Sequence, residues 1–362
     1  MFTKIKECLS SIVGCCTECC TKMDTNCQDE YLSSDEYFEE LSYLTYILIK
    51  DRWRVRRQIG KGAYGVVFEV RENAVSTKLG GAHYDCYNQE TNRIYAMKCE
   101  VVKWYDDSTG RLSTEAAIMR LMHDEKRGRH VATVVDTGRL ITPYRYPIDF
   151  IVMTLLGPNL AHLRKTSLDD KLDPVSVALF GVQAIEALED LHACRYLHRD
   201  VKPGNFTIGS KGYDRHNIYL IDFSSSRLFA RDDGTLYPIR RISTFCGTIR
   251  YCAPDMHDNL EYGRQHDLIS LFYSLIELLT GRLPWVGESV NVYEMKKNIS
   301  AKKWLKDLDE EYLMFYEKLT ALHYDIRPDY EGYRRLFLSI LNKRKLSADA
   351  PFIWEIDDSY LE

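Results

Sequence analysis

The chain has 362 residues, 45% of them hydrophobic, and a formal net charge of −5. That is enough apolar material for a globular protein of two lobes, and a mildly acidic chain without a basic tract excludes nucleic acid as substrate or partner. No run of about eighteen apolar residues occurs, so no membrane-spanning helix is expected.

Six of the eleven cysteines fall at the start of the chain: Cys8, Cys15, Cys16, Cys19, Cys20 and Cys27. Three readings stay open. Leu9, Ile12 and Val13 with Lys4 and Lys6 could form a short membrane-surface helix carrying S-acylated cysteines. The Cys-x-x-x-Cys spacing could put two thiolates on one helix face for zinc, although no second ligand pair follows. An unstructured tail with incidental thiols is the third. Phe2 stands where myristoylation needs glycine, and the apolar stretch is too short for a secretory signal. Residues 28–40 are acidic and contain Ser33-Ser34, so 1–40 reads as a Cys-rich tail and linker before an apolar lead-in at 41–50. The later cysteines are scattered and suit a reducing compartment. A cytoplasmic protein is expected, with a nuclear or membrane-associated pool allowed. The sequons at Asn205 and Asn298 are treated as chance.

Residues 53–58 and 66–71 are β-branched and alternating enough for a hairpin. Between them runs Ile59-Gly60-x-Gly62-x-x-Gly65-x-Val67, whose glycines would let backbone approach a phosphate. The same pattern occurs in dinucleotide-binding proteins, but there a helix follows; here strand signals follow. About thirty residues then separate Gly65 from Lys98, and the piece near 73–92, with Gly80-Gly81, reads as a long hairpin or loop. Tyr95-Ala96-Met97-Lys98 reads as a strand, and residues 114–121, beginning Thr114-Glu115, as a helix. Glu115 opens its apolar periodic run, whereas Glu125 lies in a charged stretch beyond. Ile151-Val152-Met153-Thr154-Leu155-Leu156 is an apolar run ended by Gly157-Pro158. Val177, Phe180, Ala184, Leu188 and Leu191 mark a buried helix over 175–192. Then come His198-Arg199-Asp200-Val201-Lys202-Pro203-Gly204-Asn205 and Ile221-Asp222-Phe223-Ser224. Gly247-Thr248-Ile249-Arg250-Tyr251-Cys252-Ala253-Pro254-Asp255 and a very apolar helix from Asp267 to about Thr280 complete the series.

These segments, in this order, resemble protein kinases, over residues from about 50 to 343. The resemblance implies an α+β, two-lobed kinase fold: a small β-rich lobe (about 50–153) with one main helix, a large helical lobe (about 157–343), and a tail at 344–362. It implies ATP and Mg2+ as cofactors. Asp200 would accept or orient the substrate proton, and Lys202 would offset charge on the moving phosphoryl group. Lys98, held by Glu115, would contact the phosphates, and Asn205 and Asp222 would hold the metal. Ile59, Gly60, Gly62, Gly65, Val67, Ala96, Met153, Leu155 and Leu156 would surround the nucleotide, and Asp267 would brace the catalytic loop from beneath. Leu155-Leu156-Gly157-Pro158-Asn159-Leu160, Gly247-Thr248-Ile249-Arg250-Tyr251 and Arg327-Pro328-Asp329-Tyr330 resemble the casein kinase I group. Arg264-Gln265-His266-Asp267-Leu268 and Leu283-Pro284-Trp285 lean toward its tau-tubulin kinase branch, as expanded in nematodes.

Departures from that pattern carry further expectations. Ser224 replaces the glycine of Asp-Phe-Gly, which predicts a slower enzyme or an altered activation segment. Ala253-Pro254-Asp255 predicts an Asp255–Arg327 ion pair. Arg250, with Lys296 and Lys297 contributing, would hold an anion or a phosphate on an acidic or primed protein substrate. Arg240-Arg241-Ile242-Ser243 resembles a modification site whose phosphate Arg199 could bind. The expected function is ATP-dependent phosphorylation of serine and threonine in proteins; the alternative is a pseudokinase scaffold that binds nucleotide or partners without catalysis.

Overall fold

A computed structural model describes residues 41–62, 65–73, 93–102, 110–141, 147–240, 245–258, 260–287 and 291–361. The N-terminal cysteines, most of the insertion before Lys98, and Arg241 to Ser243 lie outside the described residues. The chain divides into two units, Met1–Tyr43 and Leu44–Glu362. Of the first, only residues 41–43 are described, and the rest of the structure belongs to the second.

The small lobe is a six-stranded antiparallel sheet. Its strands are β1 (Leu48–Ile49), β2 (Trp53–Gly62), β3 (Gly65–Glu72), β4 (Ile94–Val101), β5 (Val134–Ile141) and β6 (Pro147–Thr154), in the order β1-β2-β3-β4-β6-β5. The glycine-rich segment is the β2–β3 hairpin, with Gly62 opposite Gly65. A Cβ on Gly65 would stand 2.2 Å from the Cys99 carbonyl oxygen, so only glycine lets β3 close onto β4 there. Val66, Phe68 and Val70 are buried on β3. Register then sets the functional side chains: Val67 faces Lys98, and Ala96 faces Met153. Helix α1 (Arg111–Asp124) starts earlier than its apolar run, because Gly110 caps it and the Leu112 amide donates to Glu100.

The chain enters the large lobe through β7 (Leu156–Asn159) and α2 (Leu160–Thr166). Asn159 caps α2, accepting from the His162 amide at 2.9 Å. Helix α3 (Pro174–Ala193) begins with Asp173 accepting from the Val175 and Ser176 amides, and with proline in its first turn. Short strands follow: β8 (Tyr196–Leu197), β9 (Phe206–Gly209), β10 (Ile218–Leu220) and β11 (Arg227–Leu228). Helix α4 (Arg264–Thr280) is buried along most of its length, and α5 (Val292–Asn298), α6 (Ala301–Trp304), α7 (Glu310–Thr320) and α8 (Tyr330–Lys343) complete the helical body. Asp329 caps α8, as the Pro-Asp-Tyr pattern implies.

The sequence places the end of the large lobe at 343, but the packed core continues past it. Phe352 and Trp354 are fully buried, stacked at 4.3 Å, with Trp354 in α9 (Ile353–Ile356). The indole N–H donates to the Arg215 carbonyl, and the Ile353 amide donates to the Ser176 hydroxyl. The apolar run from Ala350 to Trp354 is too short for periodicity to mark it. Trp354→Ala is expected to destabilise the fold by about 3–5 kcal/mol, read as a lower urea midpoint; an unchanged midpoint would mean the segment is a passive tail.

Candidate active site

The loop between β8 and β9 carries the central cluster. Asp267, at the start of α4, is buried and accepts from the His198 and Arg199 amides, both at 2.8 Å, and from His192 Nε2 at 3.0 Å. Those bonds hold Arg199 in a left-handed backbone conformation at φ 67°, one that non-glycine residues adopt only when held. Gly247, at φ 102°, packs against the same turn; a Cβ there would lie 2.3 Å from the Arg199 carbonyl oxygen. The activation segment is thereby pressed onto the loop.

The result is a tight group around Asp200. Lys202 Nζ donates to Asp200 Oδ2 at 2.6 Å and to Thr248 Oγ1 at 3.1 Å. Thr248 Oγ1 in turn donates to Asp200 Oδ1 at 2.7 Å. Asn205 uses its amide nitrogen on the Asp200 carbonyl at 2.8 Å, which leaves its amide oxygen to face elsewhere. The Asp200 side chain is mostly buried, and these bonds fix the orientation of its carboxylate. Thr248 is the member that sequence reading missed as a participant. Its only signal was its position beside Gly247.

A second group joins the two lobes. Lys98 Nζ lies 2.7 Å from Glu115 Oε2 and 2.9 Å from Asp222 Oδ1. Burial alone would depress the lysine pKa, but the two carboxylates outweigh it and hold the ammonium charged. Burial likewise pushes the Asp222 carboxyl up, yet Lys98 and the Ser224 hydroxyl hold it at about 2. Ser224 Oγ donates to Asp222 Oδ1 at 2.7 Å. Ser224 lies outside the left-handed backbone region, so its side chain brings no strain in this conformation. In this conformation the backbone therefore accepts serine, and a hydrogen bond is gained. The side chains of Ile59, Val67, Ala96, Met153, Leu155 and Leu156 come from β2, β3, β4, β6 and the strand junction into β7, with Ala96 more fully buried than the others. Gly60 pairs with Val67 across the hairpin.

Three expectations meet different partners. Arg327 donates to Glu189 at 3.3 Å, while Asp255 lies 3.7 Å from His266, so the Asp255–Arg327 pair does not form. Glu189 on α3 also binds Arg334 of α8 at 2.6 Å and draws Arg327 to that side. Arg250, expected to bind a substrate anion, lies 3.2 Å from the buried carboxylate of Glu277, which also accepts from Tyr251. Lys296 points inward and is 2% exposed. Arg199 donates its Nε to the Ser225 carbonyl at 2.6 Å and is engaged within the site.

The donor set suits phosphate chemistry. Carboxylate and amide oxygens of Asp222 and Asn205 are hard ligands of the kind magnesium takes when most of its shell is completed by phosphate and water. Among the described residues no group of three or more His, Cys, Asp and Glu that could hold a metal ion occurs.

Comparison with known proteins agrees with this geometry. The family model described as the protein kinase domain matches residues 53–333. A probable serine/threonine-protein kinase of Dictyostelium discoideum is 33% identical over 88% of this chain, and the chain spans 59% of that relative's length. The serine/threonine-protein kinase spe-6 of Caenorhabditis elegans is 31% identical over 84% of this chain and 76% of its own. Casein kinase I homolog 1 of Saccharomyces cerevisiae is 30% identical over 83% of this chain and 53% of its own. With the two-lobed fold, the Lys98–Glu115 pair, Lys98 bridging on to Asp222 of the large lobe, and a match over most of its length, the chain belongs to the protein kinase family.

Proposed function

We propose that the chain is a catalytically active, ATP-dependent serine/threonine kinase of the casein kinase I group, on its tau-tubulin kinase side. The observation that carries this reading is the intact cluster of Asp200, Lys202 and Asn205, held together within hydrogen-bonding distance. A scaffold has no physical need to keep a base, a phosphate-facing lysine and metal-binding oxygens in register. A substrate hydroxyl beside Asp200 gives up its proton to the carboxylate as its oxygen bonds the γ-phosphorus. The bond from that phosphorus to the bridging oxygen breaks, and ADP leaves. Lys98 holds the phosphates in line, and Lys202 offsets charge on the moving group. Asn205 and Asp222 would hold magnesium, which would supply charge neutralisation to the phosphates. The substrate is a protein, and S-acylation of the N-terminal cysteines would bring a cytoplasmic enzyme to membrane surfaces.

Incubation with ATP, magnesium and either casein or a serine peptide, with and without an upstream phosphate, tests the reading. Transfer to serine or threonine is expected. The Arg250–Glu277 pair must open for a priming phosphate to bind, so the gain from priming is expected to be small. Nucleotide binding without transfer would identify a scaffold instead.

Ser224 gives a separate expectation. A hydrogen bond to a charged group is worth about 1.5–3 kcal/mol, and this one limits the rotation of Asp222. Ser224→Ala is expected to raise the magnesium concentration needed for nucleotide-dependent thermal stabilisation several-fold. An unchanged requirement would show that the hydroxyl does not orient the ligand.

A further inference from the structure

Lys296, in α5, is buried with its ammonium directed at the back of the segment that follows Thr248. Nζ donates to the Ile249 carbonyl at 2.6 Å and to the Cys252 carbonyl at 2.7 Å, with Cys252 Sγ at 3.7 Å. The faces of Tyr273 and Trp285 lie 5.4 Å and 5.3 Å from it. Among the described residues no carboxylate pairs with it. The Trp285 indole adds a third tie, donating to the Arg250 carbonyl at 2.8 Å. An ammonium buried without a counter-ion is a costly way to fill an aromatic box. Packing alone would be served better by methionine. What the charge supplies is a pair of strong, directed bonds to two carbonyls of one short segment, whose Ile249 and Arg250 are exposed and whose Tyr251 and Cys252 are buried.

That segment sits beside the reacting group. Thr248 is bonded to Asp200 and Lys202. Ile249, the next residue, exposes about half of its side chain. Resting on the kinase reading above, we propose that Lys296 is a positioning residue for the protein substrate: it fixes the 249–252 backbone from inside so that the polypeptide flanking the phosphoacceptor docks on a preformed surface. Lys296 touches neither ATP nor the reacting atoms, so its effect belongs to peptide binding.

The titration behaviour supplies a readout that a purely structural lysine would not. Burial pushes the Lys296 pKa down to about 8, with Cys252 opposing. The titratable groups facing it are the Cys252 thiol, pushed up by burial, the Tyr273 hydroxyl, held well above its ordinary value, and, on the far side of Cys252 Sγ, His257, whose pKa is lowered. Between about 8 and the ordinary 10.5 the folded state binds fewer protons at Lys296 than the unfolded chain. Through this group the fold therefore gains stability as pH rises in that window. A loss of peptide affinity over the same window is thus not unfolding driven by Lys296.

The test compares wild type with Lys296→Met in two independent measurements. In transfer assays the peptide KM is expected to rise about tenfold, the loss of roughly 1.4 kcal/mol, while the ATP KM stays unchanged. In wild type the peptide KM should climb as pH passes about 8, and in the variant it should be flat. By hydrogen exchange, which needs no activity, the amides of Tyr251 and Cys252 should exchange faster in the variant without a lower Tm. Equal rises in both KM values, or a lower kcat at constant peptide KM, would overturn the proposal, as would unchanged exchange in the segment. Absence of transfer by wild type would count against the kinase reading alone, and the exchange measurement would then decide the role of Lys296.

Discussion

Replacing Asp200 by asparagine is expected to lower phosphoryl transfer by about 10²–10⁴-fold while nucleotide binding is retained. The carboxylate receives three donors: Lys202 Nζ, Thr248 Oγ1 and Asn205 Nδ2. Asparagine has the same shape but turns one oxygen into an NH2 group. That group would face a donor, and it cannot take a proton from the acceptor hydroxyl. Lys98, Glu115 and Asp222 lie outside the change, so nucleotide affinity rests on groups left intact. Single-turnover transfer and a nucleotide-dependent thermal shift separate the two effects. Transfer at the wild-type rate would remove Asp200 from its assigned role.

Replacing Asp267 by alanine is expected to destabilise the fold by about 3–5 kcal/mol and to abolish transfer. The residue is 2% exposed and is the common acceptor for two loop amides and His192. Alanine leaves those donors buried without partners and releases the left-handed turn at Arg199. The pH dependence follows from the same bonds. Burial would raise the Asp267 carboxyl, but His192 and the His198 amide outweigh it and hold its pKa below the ordinary 3.8. Its stabilisation is therefore fully present above that value and is lost as pH falls through the lower folded pKa. Burial also depresses His192 below its ordinary 6.5, against the pull of Asp267. A neutral ring fits the contacts: Nε2–H donates to Asp267 and Nδ1 accepts from the Tyr330 hydroxyl at 2.7 Å. The unfolded chain binds this proton more readily, so stability should begin to fall as pH drops through the region of 6.5. Urea midpoints across pH for wild type and Asp267→Ala would check both points. A wild-type midpoint independent of pH between neutrality and pH 4, or a variant as stable as wild type, would contradict this account.

Much of the site was legible because its chemistry is local. The spacing from Asp200 to Lys202 to Asn205 lies within one loop. The hairpin glycines are adjacent in sequence, and α3 and α4 declare themselves by apolar periodicity. Pairings across the chain were legible only where a single residue type opened the right element, as Glu115 opens the apolar run of α1. Thr248 carried no such mark, because a threonine hydroxyl acquires its role only when Gly247 packs against Arg199 and brings it to Asp200. Phe352 and Trp354 were not legible as core, since an apolar run this short gives no period to read.

By itself the sequence determined the fold, the order of its elements and the residue types gathered around Asp200 and Lys98, because these follow from propensity, periodicity and contiguous motifs. Only the tertiary structure decided where the charges without a local partner would go. Arg327 turned to Glu189, Arg250 to Glu277, and Lys296 inward to two carbonyls. Ser224 proved compatible with its backbone and bonded to Asp222. The physical reason is that an ion pair is selected by distance and burial, and both are properties of packed elements far apart in the chain.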